Sequence, residues 1–233
     1  MVRFTRATQI AFLLQGRRPI IRTFSALRRA HRLGASSIIQ NEHDNDDHDD
    51  PPPLVQLRNA TMDDVHLLQG WDEQEHLQGY DVMGDEDFND WDWPQSLAED
   101  YPWKRQLVAE TTSQNIPIGF VLVIDPANEI THYWGNDCEP HLRAVDMWIG
   151  EPDYLGKGYG TEIMTQVLND YVFHDPSVIA ALVDPMAGNT RAHRFYQKLG
   201  FKPIGIRHFG PDCCLVHRLN RTDWIKRNKS SSS

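Results

Sequence analysis

The residues with the clearest chemical potential form a glycine-rich loop, 156–160, which reads Gly-Lys-Gly-Tyr-Gly. Alternate glycines leave backbone N–H groups uncovered by side chains, and Lys157 adds a cation. The loop follows an apolar segment typical of a strand (143–149) and precedes an amphipathic segment typical of a helix (161–172). Because the start of a helix favours anions, we predict that the loop binds a phosphate or a diphosphate.

Two familiar nucleotide-binding motifs do not fit this loop. A Walker A loop reads G-x-x-x-x-G-K-[S/T], whereas here Gly150 lies one residue too far from Gly156 and a glycine follows the lysine. A dinucleotide fingerprint reads G-x-G-x-x-G, whereas this loop reads G-x-G-x-G. Both nucleotide interpretations are therefore weakened. A glycine-rich turn that binds no ligand is the alternative.

A carboxylate lies in the strand that precedes the loop. Alternation along 143–149 places Asp146 on one face with Ala144 and Trp148, and leaves the other face to Val145, Met147 and Ile149. The second set suits a core, so Asp146 is expected to face a cleft. A carboxylate there can take the proton that a primary amine must lose before it acts as a nucleophile. The alternative is an aspartate on a solvated strand face.

The elements that position these residues are read along 54–226. Strands are predicted at 54–58, 106–110, 118–124, 143–149, 178–183, 204–209 and 214–219, and helices from Thr61, over 161–172 and over 189–199. Strands outnumber helices, and the middle of the chain runs strand, helix, strand, helix. We therefore predict an α/β (α+β) fold with a mixed sheet and helices on its faces.

The charges are distributed unevenly. Residues 1–41 hold eight arginines and no acid, and residues 42–100 hold one base against 19 acids. Residues 101–233 balance at 14 bases and 14 acids. Nucleic-acid binding is disfavoured, because from residue 42 onward acids outnumber bases by 33 to 15.

The termini are interpreted from composition. Residues 1–41 form a basic leader, either a transit peptide or a disordered tail, and residues 42–53 an acidic disordered linker. Residues 227–233 are predicted to be a disordered tail. The location is accordingly predicted as cytoplasmic, or as the mitochondrial matrix if the leader is a transit peptide. The presence or absence of residues 1–41 in the native protein tests the second alternative.

Membrane spans, metal sites and disulfides are not expected. No apolar run approaches the roughly 18 residues that cross a bilayer, so no membrane association is predicted. The cysteines Cys138, Cys213 and Cys214 include no spaced C-x-x-C pair, which argues against a structural zinc site and a disulfide scaffold. No metal is predicted.

Two segments together carry a resemblance to a known family. The loop Leu155–Gly160 opening a helix, and the run Asn189–Phe201 (N-T-R-A-H-R-F-Y-Q-K-L-G-F), resemble the acetyl-CoA-binding core of the GNAT acyltransferase superfamily. The chain is most similar to its aminoglycoside 6′-N-acetyltransferases, through the Asp184–Ala192 run and the Tyr-x-Lys-x-Gly-Phe run from Tyr196. The resemblance extends faintly back to Leu57. It implies a GNAT-like mixed, mostly antiparallel sheet with helices on both faces.

The resemblance also implies site residues. In this family Asp146 matches a proposed general base, and Tyr196 matches a tyrosine that protonates the departing thiolate. The implied acetyl-CoA-binding residues are Met147, Trp148, Ile149, Leu155, Gly156, Lys157, Gly158, Tyr159, Gly160, Thr161, Asn189, Arg191 and Tyr196. Implied acceptor contacts are Trp134, Asp146 and Asp184. Leu155 stands where the superfamily commonly has Gln or Arg, so one side-chain contact to the diphosphate is absent.

The function implied is acetyl transfer from acetyl-CoA to a primary amine of a small polycationic molecule. The acidic segment Asp72–Asp100, with Trp91 and Trp93, would attract such a molecule and offer aromatic faces to it. Alternatives are acetylation of a siderophore precursor or a protein amine, and a CoA-binding module without catalysis. Several residues also have a structural interpretation: Tyr196 and Trp134 as core, Asn189 as a helix cap, Asp184 as a turn residue. A monomer or a homodimer is expected.

Overall fold

The computed structural model describes residues 53–78, 92–210 and 212–231, which belong to one compact unit. The predicted leader (1–41) lies outside the described residues, and so does the predicted linker (42–53) apart from Pro53. The stretch 79–91, which includes Trp91 of the acidic segment, also lies outside them.

The described strands form one seven-stranded sheet in the order β1-β2-β3-β4-β5-β7-β6. Neighbouring strands are antiparallel except β4 and β5, which are parallel. The predicted mixed, mostly antiparallel sheet is confirmed. The strands are β1 (Val55–Asn59), β2 (Lys104–Thr111), β3 (Pro117–Ile124), β4 (Leu142–Ile149), β5 (Ala180–Val183), β6 (Lys202–Phe209) and β7 (Asp212–Asn220).

Helices cover both faces of the sheet, as predicted. They are α1 (Val65–Asp72), α2 (Glu75–Gln78), α3 (Trp93–Ala98), α4 (Tyr159–Gln166), α5 (Thr190–Lys198) and α6 (Arg221–Ser231). One core contains side chains of α4, α5 and α6, such as Ile163, Tyr196 and Trp224. The core on the other face contains side chains of α1 and α3, such as Leu68 and Trp93.

Strand β4 contributes to both cores. Val145 and Met147 lie in the first core, and Ala144 and Trp148 lie in the second. The predicted alternation along this strand is therefore confirmed. Both neighbours of Asp146 on its own face are buried, so Asp146 lies at the margin of a packed face.

The helix after the glycine loop differs from the sequence prediction. The helix predicted over 161–172 begins at Tyr159 and continues as a π-helical segment, Val167–Val172, in which Phe173 N–H donates to Leu168 O at 2.8 Å. The wider turn keeps Val167, Leu168 and Val172 all buried.

The predicted disordered tail from residue 227 is wrong for residues 227–231, which are helical. Composition did not reveal the anchors of this helix, α6. Trp224 is buried and its Nε1 donates to Asn169 Oδ1 at 2.9 Å, while Lys202 pairs with Asp223 at 2.8 Å. No helix among the described residues is long and apolar enough to span a bilayer.

Candidate active site

A cavity of about 570 Å³ opens between the glycine loop, the end of β4 and α5. It is bordered by nine of the residues predicted to bind the cofactor: Met147, Trp148, Ile149, Leu155, Gly156, Gly158, Gly160, Thr161 and Arg191. The other four, Lys157, Tyr159, Asn189 and Tyr196, lie outside this lining. The structure thus brings most of the predicted set together around one space.

The glycine loop needs glycine at two positions. Gly156 has φ +73° and Gly158 has φ +93°, which are left-handed conformations that other residues adopt at a cost. A Cβ at either position would meet no protein atom within 4 Å, so the space above the loop is open. Gly158 is the N-cap of α4 and has no side chain that could accept from the first N–H groups of the helix, of which Thr161 N–H donates to Gly158 O at 2.9 Å. The loop therefore offers bare donors to an anion.

Strand β4 presents an open edge to the cavity. Gly150 N–H donates to Ile118 O of β3 at 2.9 Å, and alternate residues of a strand point to opposite edges. The backbone groups of Met147 and Ile149 therefore point away from β3. His76 Nε2 reaches Ile149 O on that edge at 2.9 Å. Apart from Ile149 O, which His76 already contacts, this edge can pair with an extended amide-containing chain as an added strand would.

The edge is open because β4 and β5 part. Their parallel pairs run only from Leu142↔Ala180 to Ala144↔Leu182. Continuing that register places Asp146 level with Asp184, on the face that Ala144 and Leu182 share. The charges of both carboxylates raise the pKa values of Tyr196 and Cys214, so both lie near these two side chains.

Tyr196 reaches this gap from the opposite face of the sheet. Its side chain is 1% exposed within the core beneath α5. Burial, and then the charges of Asp146 and Asp184, raise the pKa of Tyr196 well above its ordinary value of 10. The phenol therefore holds its proton at neutral pH and lies within electrostatic reach of both carboxylates.

A thiol lies among the same carboxylates. Burial raises the pKa of Cys214, and the charges of Asp184, Asp212 and Asp146 raise it further. Cys214 is therefore a neutral thiol rather than a nucleophile. Its electrostatic neighbours identify a third acidic residue, Asp212, that the sequence analysis does not single out.

Asn189 acts as the N-cap of α5. Its side-chain oxygen accepts from Ala192 N–H at 3.0 Å, and the residue is buried. The structural role weighed from the sequence is therefore present, and such a cap contributes about 1 kcal/mol. The cap sets the start of α5 and so the direction in which Arg191 faces the cavity.

Trp134 and Asp184 are linked through Tyr133. Tyr133 hydroxyl donates to Asp184 Oδ2 at 2.7 Å, and the rings of Tyr133 and Trp134 meet edge to face at 5.6 Å. Trp134 is only 3% exposed, so its indole lies in the packing that supports Asp184. Of the predicted acceptor contacts, Asp146 is the least buried.

A family model described as an acetyltransferase (GNAT) domain matches residues 60–209. The chain belongs to the GNAT acetyltransferase family. This finding confirms the predicted family and fold. The GNAT chain is accordingly an acetyl-CoA-dependent N-acetyltransferase. Among the described residues, no group of three or more His, Cys, Asp or Glu side chains could hold a metal ion.

Relatives of this GNAT chain include aminoglycoside N(6′)-acetyltransferases and a kanamycin resistance protein. Aminoglycoside N(6′)-acetyltransferase type 1 of Klebsiella pneumoniae is 28% identical over 202 residues, which cover 83% of this chain and 92% of that protein. A kanamycin resistance protein of Rhizobium radiobacter is 36% identical over 100 residues, covering 43% and 91%. The solved structure of AAC(6′)-Ib in complex with ribostamycin and coenzyme A is 25% identical, with a TM-score of 0.61 and coverage of 74% and 96%.

Five residues that line the cavity of this GNAT domain were not predicted to bind the cofactor: Leu77, Ala192, Arg194, Phe195 and Lys198. A signal existed for three of them, because Arg194, Phe195 and Lys198 follow Arg191 at the spacing of one helix face. No local pattern points to Leu77, since α2 reaches the cavity only through the tertiary fold.

Trp93 does not offer an aromatic face to an acceptor, contrary to the prediction. It is 1% exposed, meets Phe120 edge to face at 5.0 Å, and donates from Nε1 to Asp72 Oδ2 at 2.5 Å. A tryptophan in an acidic segment looks like a surface aromatic, but its apolar area here completes the core under α1 and α3.

Asp72 makes stability depend on pH. Burial raises its pKa from 3.8 to about 6, so the folded protein keeps a proton that the unfolded chain loses as the pH rises from about 4 to 6. Stability conferred by this group is therefore present below pH ~4 and lost as the pH rises through ~6, by up to about 3 kcal/mol. Asp72→Asn keeps an oxygen for Trp93 Nε1 and should raise the free energy of unfolding at about pH 8.

Urea unfolding at several pH values between about 4 and 8 measures this effect. Asp137→Asn, an exposed loop substitution, is the control and should leave the pH dependence as in the unmodified protein. An Asp72→Asn variant whose stability varies with pH just as the unmodified protein does would contradict the assignment.

Proposed function

We propose that the chain acetylates a primary amine of a small polycationic acceptor of the aminoglycoside type. The observation that supports the proposal is that Asp146 and Asp184, each two residues beyond the last β4–β5 pair, both raise the pKa of the buried Tyr196 phenol. The relatives named as aminoglycoside N(6′)-acetyltransferases, and the related structure with bound ribostamycin and coenzyme A, support the acceptor class.

The described residues fit acetyl-CoA. The open space above Gly156 and Gly158 suits a diphosphate, and the Met147 and Ile149 edge of β4 suits the amides of a pantetheine arm. The cationic side chains Arg191, Arg194 and Lys198 border the same cavity. Lys157 and Tyr159 contribute through the loop backbone, and Leu155 and Thr161 flank it.

The reaction needs two proton movements, and two side chains suit them. The amine nitrogen attacks the thioester carbonyl carbon of acetyl-CoA, the carbon–sulfur bond breaks, and coenzyme A leaves as a thiolate. Asp146 accepts the proton that the attacking amine loses, directly or through water. Tyr196, which its surroundings keep protonated, donates a proton to the departing sulfur.

Carboxylates select the acceptor. The charges of Asp146, Asp184 and Asp212 all raise the pKa of the same thiol, Cys214, so the three carboxylates lie near one another. Such a group attracts ammonium groups and orients an amine toward the thioester. Trp134 supports this surface from below through Tyr133 and Asp184.

Tyr196→Phe should lower kcat roughly a hundredfold with little change in acetyl-CoA affinity, because it removes only the proton donor. Since the pKa of Tyr196 is raised well above 10, the unmodified enzyme should show no loss of this donor through about pH 9. Steady-state kinetics and calorimetry measure both quantities. Tyr171 is a half-buried tyrosine of the π-helical segment, and Tyr171→Phe is the matched control. Its kcat and its acetyl-CoA affinity should stay close to those of the unmodified enzyme. Unchanged kcat in Tyr196→Phe would remove it from the mechanism.

Release of free thiol from acetyl-CoA, measured over a panel of amines, tests the function. The panel contains kanamycin, ribostamycin, a diamine, a hydroxamate precursor amine and a peptide amine. We expect turnover on the polycationic sugars and much less on the others. Preferred turnover on the peptide or the hydroxamate precursor would favour the alternative acceptors, and binding of acetyl-CoA without turnover on any amine would contradict the proposal.

We also propose an oligomeric state, partners and a location for the chain. We expect a monomer or a homodimer without nucleic-acid or membrane partners. We expect it in the cytoplasm, or in the mitochondrial matrix if residues 1–41 are a transit peptide.

A further inference from the structure

Arg207 places a cation on the aromatic surface next to the acceptor site. It lies in β6 opposite Cys214 of β7, so both side chains share one face of the sheet. Its guanidinium carbon lies 5.7 Å from the Trp134 ring centroid and 5.2 Å from that of Phe209. Its Nη2 donates to Trp134 O at 2.9 Å. The guanidinium thus has a defined position on these rings.

A short chain of contacts joins Arg207 to the carboxylates. Phe209, under the guanidinium, stacks on Tyr133 with ring centroids 4.0 Å apart. The Tyr133 hydroxyl then donates to Asp184 Oδ2 at 2.7 Å. One stacked pair of rings therefore separates the Arg207 cation from the carboxylate proposed to bind the acceptor.

Arg207 forms no ion pair with any residue that the structure describes. The side chain is exposed, so its charge acts on whatever approaches this surface. The face of the aromatic rings that would attract an ammonium group is already occupied by a cation.

We infer that Arg207 determines acceptor specificity by repelling a second ammonium group at the Trp134–Phe209 end of the site. The favoured acceptor presents its amine to Asp146 and Asp184 and a neutral or anionic group to Arg207. This inference rests on the proposed function and refines its acceptor class. Charge distribution along the acceptor, and not total positive charge alone, then sets kcat/KM.

Two acceptors with the same reacting ring test the inference. Kanamycin A carries several ammonium groups beyond its 6-aminoglucose ring, whereas 6-amino-6-deoxyglucose carries only one amine. Arg207→Gln should raise kcat/KM for kanamycin A about fivefold and leave that for the monoamine nearly unchanged. Arg207→Lys keeps the charge and should keep the original ratio of kcat/KM for kanamycin A to kcat/KM for the monoamine. The gain should shrink at high salt, because the interaction is between exposed charges.

Arg105→Gln is the matched control. Arg105 is an exposed arginine of β2 with no ion pair among the residues that the structure describes, so its loss changes the net charge equally. Arg105→Gln should leave the ratio of kcat/KM for kanamycin A to kcat/KM for the monoamine unchanged. An equal ratio in the unmodified enzyme and in Arg207→Gln, with both amines acetylated, would overturn the Arg207 inference alone. Failure of the unmodified enzyme to acetylate either amine would overturn the proposed function and this inference with it.

Discussion

Replacing Asp146 by asparagine should lower kcat roughly a hundredfold or more while acetyl-CoA affinity stays within about twofold. An amide has nearly the shape of a carboxylate but cannot take a proton from the attacking amine. Asp146 is half-buried and lies two residues beyond the last pair of β4 with β5, where an amide can be accommodated without disturbing the core. Thiol-release kinetics and calorimetric titration of acetyl-CoA measure the two quantities.

Asp184→Asn separates the role of a base from that of a general negative charge. It removes an equal charge at the same level of the gap, but from a buried residue that accepts a hydrogen bond from Tyr133. We expect it to raise KM for a polycationic amine more than it lowers kcat. If Asp146→Asn and Asp184→Asn change the same parameter by the same factor, Asp146 is an electrostatic contact and not the base.

Replacing Gly158 by alanine should weaken acetyl-CoA binding about tenfold to a hundredfold. At φ +93° an alanine strains the loop, which costs roughly 1–2 kcal/mol. Its methyl group would also project into the open space above the loop, where the diphosphate is proposed to lie. The binding loss should therefore exceed what reduced stability alone produces. Calorimetry and thermal unfolding of the same samples measure both effects.

Gly205→Ala provides the matched control for strain. Gly205 also has a positive φ, +145°, and open space around a built Cβ, but it lies in β6 away from the cofactor cavity. We expect some loss of stability and normal acetyl-CoA affinity. Normal affinity in Gly158→Ala as well would mean that the loop does not hold the diphosphate.

Local patterns were enough to predict the parts of the site that depend on neighbours in sequence. The alternate glycines indicated a turn with exposed N–H groups, in which Gly156 and Gly158 have positive φ angles, and Asn189 indicated a helix start. The two-residue period of β4 placed Asp146 on its correct face. Each of these depends on interactions within a few residues, which is why the sequence reveals them.

The features that were missed depend on tertiary contacts. The parting of β4 and β5 after Ala144 and Leu182 cannot be read from either strand alone, because it depends on how the two strands diverge in the fold, although Asp146 and Asp184 each follow two residues later. The burial of Trp93 requires Phe120, which lies 27 positions later. Helix α6 continues beyond residue 227 because Trp224 finds a place beside Asn169. Composition around these residues favours exposure, whereas the packing decides otherwise.

The parting of β4 and β5 has a mechanical consequence for the whole sheet. Among the described residues, the ladder that joins strands β1 to β4 to strands β5, β7 and β6 consists of the three pairs from Leu142↔Ala180 to Ala144↔Leu182. The sheet is thus two plates meeting at a short seam, with a wedge-shaped opening beyond it. A molecule bound in that wedge contacts both plates. Its binding therefore also stabilises the arrangement of the two plates relative to each other.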